Sequence, residues 1–244
     1  MSEIISSRAN PKVKDTALLS KNPTSERFLI EGFHMVEMAF SAGCLDEVFA
    51  TKNPGFSGVK TTLVTNEIIK KISVSKNPEP VLGIAHLPQN KPLGRRILVL
   101  DRVQDPGNVG TLIRTAIAFG FEDVMFLPGT CSPLNSKAIA STQGALFVAN
   151  LVICESAEIG FEALRLSGAP VIGTALQGAQ DLDSLTISPE RGIALVLGNE
   201  GRGISQWVRE RCECLVRIPM ANIESLNVGV AGGILMHHFR RTYH

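Results

Sequence analysis

Three short segments combine the residue types that could bind a ligand or do chemistry, and each follows a predicted strand. The first is Asp105-Pro106-Gly107-Asn108-Val109-Gly110, which continues to Arg114. Pro106 and Gly107 predict a turn, and Asn108 stands at a capping position for the helix that follows. This segment alone is equally compatible with a well-capped helix whose Arg114 faces solvent.

The second segment is a glycine-rich loop, Gly198-Asn199-Glu200-Gly201-Arg202-Gly203. It follows the most apolar run of the chain, 193–197, and its glycines would let a ligand approach the backbone closely. It is neither a P-loop nor a G-x-G-x-x-G dinucleotide fingerprint. By itself it could be an ordinary surface loop.

The third segment runs from Ile218-Pro219-Met220 through Glu224-Ser225-Leu226-Asn227-Val228. Ser225 and Asn227 are polar residues at the opening of a helix predicted from about Ser225 to Phe239, which is otherwise almost wholly apolar. Ser225 could be no more than the N-cap of that helix. A helix that is apolar on every side must be buried in the core or against another subunit.

The elements around these segments predict a parallel α/β sheet in the second part of the chain. Continuous apolar runs, as found in buried parallel strands, alternate with helical patterns. The predicted strands are 97–100, 124–127, 171–173, 193–197 and 215–218. In such sheets ligands bind beyond the carboxyl ends of the strands, which is where the three segments fall.

The first part of the chain predicts a smaller α/β domain. Strands are expected at 28–30, 48–50, 63–64 and 81–85, and helices at 34–42 and around Ile68, Ile69 and Ile72. A stretch rich in proline and polar residues then marks a linker. We therefore expect a domain at 1–88, a linker at 89–95 and a second domain at 96–244.

Composition limits the partners and cofactors that the chain could use. The formal net charge is +1, so an RNA-binding function would have to rest on local patches such as Lys12, Lys14, Lys70 and Lys71, which could equally form a solvated face. The five cysteines form no C-x-x-C pair and indicate reduced thiols without a metal site. No apolar run reaches the roughly 20 residues that span a bilayer. We expect a soluble, cytoplasmic protein without membrane contact.

The three segments together, in this order, resemble the SpoU or TrmH family of RNA ribose methyltransferases, within the SPOUT class. Upstream, Ser7-Arg8-Ala9-Asn10-Pro11-Lys12-Val13-Lys14, Phe28-Leu29-Ile30-Glu31-Gly32 and Asn77-Pro78 with Val81-Leu82-Gly83 resemble the accessory domain of rRNA-modifying members. That domain is similar to an L30-like ribosomal protein. The resemblance implies an α/β fold with a deep trefoil knot that forms a pocket for S-adenosyl-L-methionine.

The resemblance also implies a set of site residues. The cofactor-binding residues would be Thr174, Ala175, Leu176, Gly198, Asn199, Gly203, Ile218, Met220 and Leu226, and the catalytic residues Asn108, Arg114, Glu200, Ser225 and Asn227. Family members form homodimers through the last helix, and Arg114 would then meet the partner's cofactor. Because arginine stays protonated in proteins, we interpret Arg114 as a phosphate clamp and field source, with Glu200 or water as the proton acceptor.

The function implied is methylation of a ribose 2′-hydroxyl in RNA, with ribosomal RNA of the 23S type as the expected substrate. Methylation of tRNA is an alternative, but relatives that act on tRNA often lack the accessory domain. A non-catalytic RNA-binding or assembly factor of the same fold is a second alternative, which the intact polar set disfavours. The missing dinucleotide fingerprint disfavours an oxidoreductase.

Overall fold

The computed structural model describes residues 4–185, 191–223 and 225–240. Its helices and strands, in chain order, are α1 (Pro11–Leu19), β1 (Phe28–Glu31), α2 (Phe33–Ser41), β2 (Leu45–Ala50), β3 (Lys60–Leu63), α3 (Asn66–Ile72), β4 (Val81–Ala85), β5 (Arg96–Asp101), α4 (Pro106–Ala118), β6 (Asp123–Phe126), α5 (Ser136–Thr142), β7 (Asn150–Ile153), α6 (Ala157–Ser167), β8 (Val171–Thr174), β9 (Gln180–Asp181), β10 (Ile193–Gly198), α7 (Gln206–Arg209), β11 (Cys214–Arg217) and α8 (Val228–His238). In this part of the chain no helix is long and apolar enough to cross a membrane.

The chain divides into two compact units. The first comprises Met1–Gln89 and Leu134–Val148, and the second comprises Asn90–Pro133 and Ala149–His244. The first unit is built on a four-stranded sheet with the order β1-β4-β2-β3, in which β4 runs antiparallel to both of its neighbours. Its core includes Val13, Phe49, Ile68 and Leu82, all of them fully or almost fully buried. The strands and helices expected in this region are confirmed, and α1 is an addition that the sequence analysis did not predict.

The segment Leu134–Val148 packs within the first unit, although sequence alone assigned it to the second domain. The Phe147 ring stacks on that of Phe28, with ring centroids 6.1 Å apart. Gly144 adopts a φ of +87° beneath the side chain of Met38, where a Cβ would lie 2.6 Å from Met38 Cγ. These contacts join residues more than a hundred positions apart, so local sequence patterns carry no sign of them.

The second unit is built on a seven-stranded, wholly parallel sheet with the order β7-β6-β5-β10-β8-β11-β9. This confirms the predicted parallel α/β fold. Every residue of the central strand β10 is buried, as its apolar sequence predicts. The sequence analysis missed β7, β9, α6 and α7. The strand β9 has only two polar residues and so lacks an apolar run, whereas β7 carries the short run Leu151-Val152-Ile153, which the sequence analysis overlooked.

The two helices that border the predicted site begin at different caps from those expected. The N-cap of α4 is Asp105, whose Oδ1 accepts a hydrogen bond from the Asn108 amide at 2.9 Å, and Asn108 itself lies inside the helix. The helix α8 begins at Val228, three residues later than predicted, because Asn227 and not Ser225 caps it. Asn227 Oδ1 accepts from the amides of Gly229 and Val230, at 2.8 and 3.3 Å. The side chains of Asn108 and Ser225 are therefore not used as caps.

The last helix packs on α4 and β10 through one face and leaves another face bare. Gly232 lies so close to Leu112 and Leu197 that a Cβ would be 2.4 and 2.7 Å from their methyl carbons. On the outer face, Val230 is 53% exposed and Ile234 is 39% exposed. The sequence predicted that α8 is buried on every side. Within a single chain, only the face towards α4 and β10 is buried.

We predict that Gly232→Ala destabilises the second unit by about 1–3 kcal/mol, because the new methyl group must push α8 away from α4 and β10. Thermal unfolding should show a midpoint lower by about 2–4 °C per kcal/mol. Gly233→Ala is the matched control, since its Cβ would meet only Thr115 Cγ2, at 3.8 Å. Helix propensity should make that variant neutral or slightly more stable. Equal losses in the two variants would contradict the packing argument.

Candidate functional site

A cavity of about 560 Å³ opens at the carboxyl edge of the parallel sheet in the second unit. Three loops border it, and they follow β8, β10 and β11, whose carboxyl ends meet at this edge. The lining includes all nine residues expected to bind cofactor, namely Thr174, Ala175, Leu176, Gly198, Asn199, Gly203, Ile218, Met220 and Leu226. Residues that are up to 52 positions apart in sequence are thus gathered around one space.

The glycine-rich loop folds back on the end of β10. Asn199 and Gly203 exchange two backbone hydrogen bonds, of 3.0 and 2.9 Å, and Gly203 has a φ of +67°. Gly198 must be a glycine, since a Cβ there would lie 2.1 Å from the Gly203 carbonyl carbon. Within the loop, Asn199 Oδ1 accepts from the amides of Gly201 and Arg202, each at 3.1 Å. The loop is therefore closed by its own backbone and by one asparagine side chain.

Three polar residues from the three sequence segments form one hydrogen-bonded line. Asn227 Nδ2 donates to Asn108 Oδ1 at 3.0 Å, and Asn108 Nδ2 donates to Glu200 Oε1 at 3.1 Å. The line joins the N-terminus of α8 to the glycine-rich loop through the first turn of α4. The predicted residues Asn108, Glu200 and Asn227 are thus brought together by the fold.

Glu200 is surrounded by hydrogen-bond donors. Burial alone would raise its pKa, but hydrogen bonds from its own amide, from the Asn108 side chain and from the amides of Asp105 and Gln104 outweigh this and lower the pKa. The Asp105 and Gln104 amides lie 3.2 and 3.3 Å from the carboxylate oxygens. Glu200 is therefore ionised at neutral pH, and its low pKa makes it a weak proton acceptor.

The remaining two predicted catalytic residues lie in different surroundings. Ser225 lines the cavity, next to the backbone that leads into α8. Arg114 is exposed on α4, outside the cavity lining, and its side chain has no hydrogen bond or ion pair with any residue that the structure describes. Glu224, which belongs to the third motif, lies outside the described residues. The fold of one chain thus places Glu200 and Ser225 in the cavity lining, connects Asn108 and Asn227 to it through Glu200, and leaves Arg114 apart.

Sequence reasoning missed three arginines that line the cavity: Arg202, Arg209 and Arg217. Arg209 Nη2 donates to the Gln177 carbonyl oxygen at 2.6 Å, and Arg217 Nε donates to Asp181 Oδ1 at 2.6 Å. In the sequence these residues have the form of ordinary surface charges. The position of Arg202 inside the glycine-rich segment and of Arg217 near the end of a predicted strand could have pointed to the site.

The four lysines considered for phosphate contact differ in availability. Lys12 is half-buried in the first unit, where its Nζ pairs with Glu47 and Thr62 and lies 5.1 Å from the centre of the Phe49 ring. Lys14, Lys70 and Lys71 are exposed. Because the Lys12 ammonium is already neutralised, its proposed contact with a phosphate is not supported by its surroundings.

Comparison with known proteins places the chain in a family. Residues 95–237, well over half of the chain, match the model of the SpoU rRNA Methylase family. The chain belongs to the SpoU rRNA methylase family. The match covers all three motifs, the whole of α4 and all but the last residue of α8, which confirms the resemblance read from the sequence.

Three similar proteins extend over almost the whole methylase chain. The 23S rRNA (guanosine(2553)-2′-O)-methyltransferase RlmP of Bacillus subtilis is 34% identical over 97% of this chain and 98% of its own length. The crystal structure of an AdoMet-bound rRNA methyltransferase from Sinorhizobium meliloti is 27% identical, with a TM-score of 0.88 over 98% of this chain and 97% of that one. The SpoU methyltransferase AviRb from Streptomyces viridochromogenes, at 21% identity and a TM-score of 0.82, shares the fold.

We predict that Glu200 stabilises the site in a pH-dependent way. Since its pKa is lowered on folding, its contribution is present above the ordinary glutamate pKa and is lost as the pH falls through the lowered value. Glu200→Gln should therefore be less stable than the parent at pH 7, and the difference should shrink in acid. Denaturant unfolding across this pH range measures it, with the exposed Glu122→Gln as control. A difference that does not change with pH would contradict the assignment.

Proposed function

We propose that this methylase transfers the methyl group of S-adenosyl-L-methionine to a ribose 2′-hydroxyl in ribosomal RNA of the 23S type. The observation that carries the proposal is the cavity, whose walls come from the loops after β8, β10 and β11 and whose lining residue Glu200 is one end of the Glu200–Asn108–Asn227 line. The full-length similarity to a 23S rRNA methyltransferase supports the choice of RNA. We propose the cytoplasm as its location, where such a substrate is found.

The residues around the cavity fit an adenosine with a charged amino-acid tail. Leu176, Met220 and Leu226 offer apolar surface for a base, and the glycine-rich loop presents backbone close to the space. Arg209, whose side chain is bonded only to the neutral Gln177 carbonyl among the residues that the structure describes, offers its guanidinium group to a carboxylate, whereas Arg217 is already paired with Asp181. The bound cofactor would supply an electrophilic methyl group on a sulfonium. In the described residues no cluster of His, Cys, Asp or Glu could hold a metal, so the chemistry proposed uses none.

The protein's own task is to place the ribose hydroxyl and to help its proton leave. The low pKa of Glu200 and its surrounding donors suit it to orient Asn108, and they favour water as the proton acceptor. Arg114 provides a permanent positive charge that would hold a phosphate and make the neighbouring hydroxyl more acidic. Asn227 and Ser225 would border the hydroxyl and the cofactor.

The active unit is proposed to be a homodimer that packs through α8. The exposed face with Val230 and Ile234 is apolar, and a symmetric copy of the same face would cover it. Arg114 has no partner among the described residues of its own chain, which supports a role in the site of the other protomer. Each active site would then combine Arg114 of one chain with the cavity of the other.

Two finer features of the fold are proposed as well. The C-terminal segments would form a deep trefoil knot around the cavity, since the loops after β10 and β11 both border it. The first unit would be an L30-like platform for RNA. A crystal structure of the cofactor complex tests the knot: backbone between 198 and 240 that does not thread through a loop of its own chain would contradict it.

The function is tested by mapping ribose methylations in cellular RNA with and without the gene. We expect one 2′-O-methyl group to be lost from large-subunit rRNA and restored by the purified enzyme with S-adenosyl-L-methionine. Activity and calorimetric binding of the cofactor should persist in EDTA. A methyl group lost from tRNA would contradict the proposed substrate, and cofactor binding that vanishes with EDTA would contradict metal-free chemistry.

The RNA platform is tested by the salt dependence of RNA binding. Each lost phosphate contact should reduce the slope of log affinity against log salt by about 0.7 for single-stranded RNA. Lys14→Ala, Lys70→Ala and Lys71→Ala should therefore flatten the slope. Lys12→Ala is the internal control, because Lys12 is already paired with Glu47. If all four variants keep the parent slope, this face of the first unit does not hold RNA.

The shared site is tested by mixing two inactive homodimers. Arg114→Ala should bind cofactor without turnover, and Asn227→Ala should bind it poorly because the cap of α8 and the bond to Asn108 are lost. A heterodimer of the two holds one intact site and one doubly defective site. A random co-expressed mixture should recover about a quarter of the parent activity, since half of its dimers carry one good site each. Inactive mixtures with proven heterodimers would show that Arg114 acts within its own chain.

A further inference from the structure

Two adjacent residues at the carboxyl end of β5 contact both ends of the glycine-rich loop. Asp101, which is only 3% exposed, accepts a hydrogen bond on Oδ2 from the amide of Ser205, two residues beyond the end of the loop. The carbonyl oxygen of Arg102 accepts from Asn199 Nδ2 at 3.0 Å, where the loop begins. Neither Asp101 nor Arg102 lines the cavity. Any effect on the site must therefore pass through Asn199 and Ser205.

The backbone of Arg102 adopts a conformation that a residue with a side chain rarely accepts. Its φ is +62°, in the left-handed region, where Cβ is crowded against the neighbouring backbone. The conformation is held by the Arg102 amide, which donates to Thr130 Oγ1 at 2.9 Å. Arg102 Nε also lies 3.3 Å from Asp101 Oδ1, as an ion pair without hydrogen-bond geometry. Strain of this kind persists where surrounding contacts enforce it, and it often marks a functional position.

The positive φ of Arg102 directs its carbonyl group towards Asn199, whose side-chain Nδ2 donates a hydrogen bond to it. Asn199 in turn holds the amides of Gly201 and Arg202 through Oδ1 and lies 3.4 Å from Glu200 through Nδ2. The backbone of Arg102 thus determines the position of Asn199, and Asn199 in turn organises the loop. Asp101 adds a second fixed point at the far end of the same loop.

We propose that Asp101 and Arg102 are positioning residues that clamp the glycine-rich loop and so set the shape of the cofactor cavity. The proposal rests on the proposed function only in taking S-adenosyl-L-methionine as the ligand of that cavity. In this proposal the Asp101 side chain accepts a hydrogen bond from the Ser205 amide. Arg102 acts through its backbone carbonyl group, which accepts from Asn199, and its guanidinium has no part in this role.

The first test compares Asp101→Asn with Asp123→Asn. Asp123 is a matched control, because it is 5% exposed, lies on the neighbouring strand β6 and also accepts hydrogen bonds, from the Gly94 amide and from Asn150 Nδ2. It lies at the opposite, amino end of its strand, away from the loop. Both variants should lower the unfolding temperature. Only Asp101→Asn should weaken calorimetric binding of S-adenosyl-L-methionine, by about tenfold, with RNA affinity unchanged.

The second test separates the backbone of Arg102 from its side chain and does not depend on whether Asp101→Asn folds. Arg102→Gly and Arg102→Val both remove the guanidinium, but only glycine accepts a positive φ readily, and a β-branched residue resists it most. The glycine variant should bind the cofactor within about twofold of the parent, and the valine variant about tenfold more weakly.

Three results would overturn the inference: equal affinities in the two Arg102 variants, parent-like affinity in Asp101→Asn, or equal losses in Asp101→Asn and Asp123→Asn. A parent protein that fails to bind S-adenosyl-L-methionine at all is a different result. It would overturn the proposed function and with it the ligand assumed here.

Discussion

Gly198 ends the central strand of the parallel sheet at a point where there is no room for a side chain. A Cβ there would lie 2.1 Å from the carbonyl carbon of Gly203, and the close approach allows Asn199 and Gly203 to exchange two backbone hydrogen bonds. The closed loop presents Glu200 to the first turn of α4 and leaves the loops after β8 and β11 free to form the other walls. The site depends on this one steric constraint, because a loop displaced by a methyl group would carry Asn199 and Glu200 with it.

The electrostatics of the site follow from how Glu200 is held. Its negative charge is balanced by amide donors from α4 and its preceding loop, with no cation among the hydrogen-bond partners found in the described residues. This arrangement lowers the pKa of Glu200 and orients the Asn108 amide, so that the opposite end of Asn108 accepts from Asn227. The carboxylate thus links three chain segments through hydrogen bonds, and its low pKa makes it a weak proton acceptor.

The last helix, α8, carries small residues on the face that packs against α4 and bulky apolar residues on its outer face. Gly229, Gly232 and Gly233 face α4, and the close packing at Gly232 brings the helix start and its Asn227 cap to Asn108. The same small residues leave little apolar bulk on that side, and the bulky Val230 and Ile234 lie outside. Burying one face against the sheet thereby creates a second apolar face, which is the physical basis for the proposed dimer.

The sequence by itself determined the parallel sheet and the edge of that sheet at which the candidate site lies, because both depend on local patterns. Continuous apolar runs mark inner strands, and the carboxyl ends of parallel strands meet at one edge, so polar and glycine residues after those runs had to come together. Tertiary structure decided the features that require contacts between residues far apart in sequence. The association of Leu134–Val148 with the first unit, the neutralisation of Lys12 by Glu47 and the strained φ of Arg102 each require a residue far away in sequence. The caps of α4 and α8 also differ from expectation, since an asparagine or serine near a helix start is a suitable cap by type, and only the packed backbone selects the one that is used.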